Sequence, residues 1–176
     1  MQDFSRNHFE LFNLPTQFGI NLNSLDQHYK QLQSEVHPDR FAAAPIDQRL
    51  RSMQLATQAN EAYRILKNPT ARARYLLHIK GVDTQEESNT AMPAEFLMLQ
   101  MEWREAIEEA SAEHDIAALD KLLQEIHLEA RSLQQELHGY LDENHQLAQA
   151  AEAVRKLSFI DKVRGDIELA IGKLED

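Results

Sequence analysis

The stretch LDQHYKQLQSEVHPDRFAAAPIDQRLRSMQLATQANEAYRILKNP, residues 25–69, carries the reading of the fold. Leu25, Tyr29, Leu32 and Val36 are spaced four, three and four, so they share one stripe of a helix. Pro38 cannot continue that helix, and it pushes His37 out of helical geometry. Ala42-Ala43-Ala44-Pro45 reads as a loop, with Pro45 near the first turn of a second helix. The stripe expected there is Ile46, Leu50, Met53, Ala56, Ala59, Tyr63 and Leu66, and Asn68-Pro69 closes it. Two helices of comparable stripe length joined by a short Pro-containing loop predict an antiparallel hairpin.

Working outward, a short helix precedes the hairpin, with Phe9, Leu11 and Phe12 as its apolar side and an end near Leu14, before Pro15. Gly19–Asn23 reads as a loop, with Asn23 as the expected cap of the hairpin's first helix and Asp26 in its first turn. After the hairpin, Ala71, Tyr75, Leu76 and Ile79 form the inward side of another short helix, which Gly81 ends. A domain of about 75 residues can fold on such a core.

Val82–Asn89 is polar and acidic, the signature of a linker, and three longer helical patterns follow it. They run over about Pro93–Ala110, Ile116–Leu141 and Gln146–Leu174. The second carries Leu119, Leu123, Ile126, Ala130, Leu133 and Leu137 on one stripe, and the third carries Ala151, Val154, Leu157, Ile160, Val163 and Ile167. Three amphipathic helices with short connections predict an antiparallel bundle. The chain is therefore expected to be all-α, with a first domain at residues 1–80, a linker at 81–91 and a three-helix domain at 92–176. Abundant Ala, Leu, Glu, Gln and Arg, with only five Gly and five Pro, agree with that class.

Charge is unevenly placed. The formal net charge is -11, which disfavours nucleic acid as a partner. Residues 1–75 hold nine Lys/Arg against seven Asp/Glu, whereas residues 76–176 hold nine against 22. Such asymmetry predicts two parts with two different partners. The chain has no cysteine, which removes disulfides, thiolate nucleophiles and Cys-ligated zinc or iron–sulfur clusters. No export signal and no membrane span of about 20 apolar residues is present, so a cytoplasmic or equivalent reducing compartment is expected. Eight His invite a metal reading, but a di-iron bundle needs two Glu-x-x-His motifs and the chain has none; Asp142-x-x-His145 stands alone. With no Gly-rich phosphate loop and no nucleophile motif, no enzyme, metal or cofactor is expected.

His37-Pro38-Asp39 taken alone has a plain structural explanation, since Pro38 breaks a helix and Asp39 caps a turn. Its setting adds more. The triplet stands at the tip of a helical hairpin, after a short aromatic-rich helix, with Asn60-Glu61-Ala62-Tyr63 late in the second hairpin helix and Asn68-Pro69 and Arg72 beyond. This arrangement, over roughly residues 5–80, resembles the J-domain family. The resemblance implies that His37, Pro38 and Asp39, with Lys30 and Arg40 beside them, dock on an ATP-driven chaperone of the DnaK type and stimulate its ATP hydrolysis. Pro38 presents the polar triplet at low ordering cost, and Asp39 can pair with a partner's Arg. J-domains usually carry a more basic first hairpin helix and Lys after the triplet. Here Glu35 dilutes the basic face and Arg40 stands in place of the Lys, which favours a dedicated chaperone over broad pairing.

The helix from Pro93 has one apolar face too many. At 100° per residue, Phe96, Leu99, Trp103, Ala106 and Ile107 form a core stripe, while Leu97, Met98 and Met101 fall on the opposite side. That second face, with Glu102, Arg104, Glu105 and Glu109 around it, reads either as a binding surface or as a contact with the first domain or a second copy. Phe96-Leu97-Met98 and Glu102, with Val154-Arg155-Lys156-Leu157 and Phe159 downstream and Tyr75-Leu76-Leu77 before, resemble the HscB family of co-chaperones. The resemblance spans essentially the whole chain. It implies an HscA-like chaperone and an IscU-like iron–sulfur scaffold as partners, with the scaffold bound at Leu97, Met98, Met101, Glu102, Glu105, Glu109 and Phe159. Phe159 stays open between core and surface, since Ile160 beside it is core. Competing readings are a general J-domain co-chaperone for unfolded clients, from which the missing Gly/Phe-rich and Cys-rich segments detract, and a helical adaptor in which the triplet has no task.

Overall fold

The computed structural model describes residues 5–176, so residues 1–4 of the expected first domain lie outside it. Seven α-helices carry the described chain: α1 (His8–Leu11), α2 (Leu22–Glu35), α3 (Ile46–Lys67), α4 (Pro69–Ile79), α5 (Ala94–Ala112), α6 (Ile116–His138) and α7 (Leu147–Glu175). A 3-10 turn at Pro38–Phe41 and a π turn at Gly139–Glu143 complete the regular structure. No helix among the described residues is long and apolar enough to cross a membrane. The chain divides into two compact units, one ending at Ile79 and the other beginning at Lys80.

In the first unit α2 and α3 are antiparallel: Asp26 meets Lys67, Tyr29 meets Asn60, and Val36 meets Ser52. Ala59 and Ala62 are fully buried on α3, and such small side chains let neighbouring backbones approach closely. Phe9, Phe12, Leu25, Leu66, Leu76 and Leu77 fill the space around them. Local chemistry sets the helix ends. Asn7 and Glu10 form a capping box at α1, and the Asn68 side chain accepts from the Ala71 N–H at the start of α4. The cap of α2 is Asn21, whose side chain accepts from Ser24 N–H at 3.0 Å, and not Asn23, which lies inside the helix.

The buried stripe of α3 also differs from the expected one. It is Ser52, Leu55, Ala59, Ala62 and Leu66, while Ile46, Leu50 and Met53 are 67%, 54% and 58% exposed. Ala59 and Leu66 belong to both stripes, but towards the N-terminus the helix is turned by about one residue, or 100°. The buried hydroxyl of Ser52 donates to the Val36 carbonyl at 2.7 Å and holds that rotation. On α4 the inward side chains are Thr70, Arg72, Ala73, Leu76 and Leu77, whereas Ile79 is exposed. Arg72 is tolerated inside because its guanidinium donates to the Leu66 carbonyl at 2.8 Å and lies 4.8 Å from the centre of the Phe18 ring.

The second unit is a three-helix bundle. Phe96 of α5 meets Phe159 of α7, and Ser111 shares a hollow with Asp166–Leu174, so α5 and α7 run parallel with α6 reversed between them. Its core is Phe96, Trp103 and Ala110 on α5, Leu119, Ile126, Leu133 and Leu137 on α6, and Val154, Leu157, Ile160 and Ile167 on α7. Asp115 caps α6 through Ala118 N–H. Part of the stretch expected as linker is tied down here: Arg155 donates to the Thr84 carbonyl at 3.1 Å, the Ser158 hydroxyl bonds the Glu86 carboxylate, and Thr84 is buried.

The rotation of α3 is measurable. Leu55→Ala is expected to cost about 2–4 kcal/mol in urea unfolding, and Leu50→Ala no more than about 0.5 kcal/mol. The reverse ranking would restore the stripe read from spacing.

Candidate functional site

Two surfaces, one in each unit, present the residues singled out above. The first is the tip of the α2–α3 hairpin. Val36 is buried and anchored through Ser52, while the residues after it are solvated: the His37 and Asp39 side chains are 58% and 93% exposed. His37 caps the 3-10 turn, and its Nδ1 accepts from the Asp39 N–H at 3.2 Å. The Asp39 carboxylate, 3.6 Å from the same nitrogen and largely in water, adds little to that arrangement. The loop is thus tied by the His37 cap and by its backbone, with the Asp39 carboxylate and more than half of the His37 side chain left in solvent.

Beside it lies an open hollow of about 770 Å³, lined by Lys30, Gln33 and Ser34 of α2, by His37, Pro38 and Arg40, and by Ala56 and Asn60 of α3. Four of the five residues expected at this site therefore meet there, with Asp39 outside the lining. Gln33 and Ser34 were not singled out, although Lys30, Gln33, Ser34 and His37 follow the i, i+3, i+4, i+7 pattern of one helix face. The α3 wall is fixed by an aromatic ladder. Tyr29 stacks on Tyr63 with ring centres 3.9 Å apart, its hydroxyl donates to Asn60 at 2.7 Å, and Gln33 donates to that hydroxyl at 2.7 Å.

Asp26 ends the ladder. It accepts from the Lys67 ammonium at 2.8 and 3.0 Å and from the Tyr63 hydroxyl at 2.8 Å. The Lys67 bond, then the Tyr63 bond, hold the Asp26 carboxyl below its ordinary range, and the Asp26 bond raises the Lys67 ammonium in turn.

The second surface is the outward face of α5. Leu97, Met98 and Met101 are 43%, 62% and 72% exposed, and Glu102, Glu105 and Glu109 beside them are exposed too. Behind the patch, Phe96 packs edge-to-face on Trp103 and on Phe159, at 6.2 and 6.1 Å between ring centres, and the Lys156 ammonium lies 5.7 Å from the Phe96 ring centre. Phe159 is half-buried, so it serves the aromatic cluster and reaches the surface as well. Among the described residues, no three His, Asp or Glu side chains converge as metal ligands would.

Residues 92–168 match the family described as the HSCB C-terminal oligomerisation domain. Over 176 residues the chain is 48% identical to the co-chaperone protein HscB homolog of Paraburkholderia xenovorans, with 100% of each chain covered. The chain belongs to the HscB co-chaperone family. The fold is similar to chaperone HscB from Vibrio cholerae, with a TM-score of 0.83 and 36% identity over 96% of this chain and 99% of that one. It is also similar to human co-chaperone HscB, with a TM-score of 0.88 and 27% identity over 96% of this chain and 83% of the human one. The architecture is therefore that of HscB proteins, a J-domain followed by a helical C-terminal domain. Membership makes this protein a co-chaperone with a role in iron–sulfur cluster assembly. Its HscB relatives are co-chaperones and not known enzymes.

The ladder beneath the J-domain hollow predicts a pH signature. Because the folded-state pKa of Asp26 is depressed, its contribution is complete above pH about 4 and is lost as pH falls through the folded value. Asp26→Asn is expected to lower the urea midpoint at pH 7, and the gap to the parent is expected to close as pH falls through the depressed folded-state value and the parent's carboxyl loses its charge. A gap that does not change with pH would show that Asp26 acts by shape alone.

Proposed function

We propose that this HscB protein is an adaptor between an IscU-like iron–sulfur scaffold and a dedicated HscA-like chaperone of the DnaK type. The J-domain, residues 1–80, docks on the chaperone through His37, Pro38 and Asp39, with Lys30 and Arg40 as cationic flanks, and stimulates its ATP hydrolysis. The ATPase chemistry belongs to the partner; His37 acts by contact and not as a general base. The domain at residues 92–176 grips the scaffold through Leu97, Met98 and Met101, with Glu102, Glu105 and Glu109 facing basic residues of the scaffold and Phe159 backing the patch. Both partners belong to the cytoplasm, where thiol-held clusters stay reduced.

The observation that carries this reading is the solvated triplet on an immobile root. The His37 cap explains one ring nitrogen of the triplet, but a turn with only a structural task does not need an Asp side chain 93% exposed beside it, whereas a docking element does. The α5 face supports the second half in the same way, since its Leu and Met side chains are exposed over a packed aromatic backing. Holding both partners on one chain raises the effective concentration of scaffold at the chaperone.

The primary test is steady-state ATP hydrolysis by the chaperone with saturating scaffold. The parent is expected to accelerate it strongly and His37→Gln to have no effect at any concentration; equal rates would reduce the triplet to an ordinary turn. In calorimetry, Leu97→Ala/Met98→Ala/Met101→Ala is expected to weaken scaffold binding about 100-fold, with an unchanged urea midpoint. Parental affinity would move the scaffold site off α5.

A further inference from the structure

A third surface is left over by these assignments. Ile46, Leu50 and Met53 stand one helical turn apart along α3 and are all more than half exposed. Leu50 and Met53, with Gln54, Thr57, Gln58 and Glu61, line a shallow hollow of about 450 Å³. The elements that pack on α3, namely α1, α2, α4 and the 3-10 turn, leave this stripe uncovered. Spacing alone would have put these side chains in the core, but α3 buries Ser52, Leu55, Ala59, Ala62 and Leu66 and turns them outward. Three aligned aliphatic side chains in water are a cost that a solvated face does not require.

We propose that the Ile46-Leu50-Met53 stripe is an apolar extension of the chaperone-docking surface, covered by an apolar patch of the same ATP-driven chaperone that engages the His37 loop. The inference rests on the J-domain reading above and deepens it. Continuity is the first argument. Ala56 and Asn60 of α3 wall the hollow beside His37, and Met53 lies three residues before Ala56 on the adjoining side of the same helix. At 1.5 Å per residue, Met53, Leu50 and Ile46 lie about 5, 9 and 15 Å along the axis from Ala56. A standard interface buries about 800 Å² on each partner, a footprint about 30 Å across. A partner centred on the hollow therefore covers the stripe as well.

Charge is the second argument, and it selects the occupant. Lys30 and Arg40 stand at the His37 hollow and Arg49 and Arg51 beside the stripe, against Asp47 and Glu61 on the same helix, so the combined surface is net cationic and asks for acidic edges on its partner. The α5 patch is bordered by Glu102, Glu105 and Glu109 with Arg104 among them, a net acidic rim that asks for basic edges. One scaffold face complementary to α5 would be mismatched at α3. The added apolar area also offsets the thin basic face of α2, giving this J-domain an anchor that charge alone does not supply.

The test separates this proposal from the reading beneath it. Chaperone ATPase is titrated with the parent, with His37→Gln and with Leu50→Ser/Met53→Ser, at saturating scaffold. The double variant is expected to reach parental stimulation with the half-maximal concentration raised about 10-fold, as for the loss of two interface anchors, whereas His37→Gln loses stimulation at every concentration. Failure of the parent to stimulate would sink the J-domain reading; a double variant with the parental half-maximal concentration would overturn the stripe alone. Since the chain has no cysteine, Leu50→Cys carries a single photo-crosslinker and gives a readout that does not depend on the double variant folding. Crosslinking to the chaperone is expected, and to be lost when His37→Gln is added. Crosslinking to the scaffold, or to a second copy of this chain, would overturn the proposed occupant.

Discussion

One buried hydroxyl sets much of the J-domain. Ser52 donates to the carbonyl of Val36, the last residue of the α2 stripe, and both groups are out of solvent. A buried carbonyl without a donor costs about 1–3 kcal/mol, so the bond opposes any rotation of α3 that would break it. It does two things at once. It immobilises the root of the His37 loop, so that Pro38 and the 3-10 turn start from a fixed point. It also chooses which side of α3 is buried, which places Ala56 and Asn60 beside His37 and turns Ile46, Leu50 and Met53 outward.

The two units solve the same physical problem with different chemistry. Each presents an exposed candidate surface over a packed backing. In the J-domain the backing is polar and aromatic, the ladder of Tyr29, Tyr63, Asp26 and Lys67, and the exposed face is a polar triplet flanked by cations. In the C-terminal domain the backing is the edge-to-face cluster of Phe96, Trp103 and Phe159, and the exposed face is aliphatic with acids around it. The borders of the two faces differ in charge, cationic at the His37 hollow and net acidic on α5. Rigid backing matters for a protein whose task is binding, because side chains already in place lose little freedom when a partner arrives.

The segment before α5 shows how a stretch with linker composition can still be structural. Thr84 and Glu86 are short polar residues in an acidic run, yet they are bonded to Arg155 and Ser158 of α7, some seventy residues away in sequence. The positive φ of Gln85, at 54°, lies between them and turns the chain so that both neighbours face the helix.

Helix positions, the hairpin and the three-helix bundle were legible from residues 25–69 and 93–174, because apolar spacing of three and four follows directly from helix geometry. Leu97, Met98 and Met101 could be read as exposed because Phe96 and Trp103, larger and on the other side, had already claimed the core. Other features depended on partners far along the chain. Asn21 and Asn23 are equally good caps by composition, and the point where Leu22 enters the helix decided between them. The phase of α3 could not be read, since Ile46, Leu50 and Met53 are more apolar than Ser52 and Leu55 taken together. Periodicity counts hydrophobic side chains along one helix, whereas burial is set by what the neighbouring helix brings, and here the end of α2 brought a buried carbonyl that the Ser52 hydroxyl satisfies.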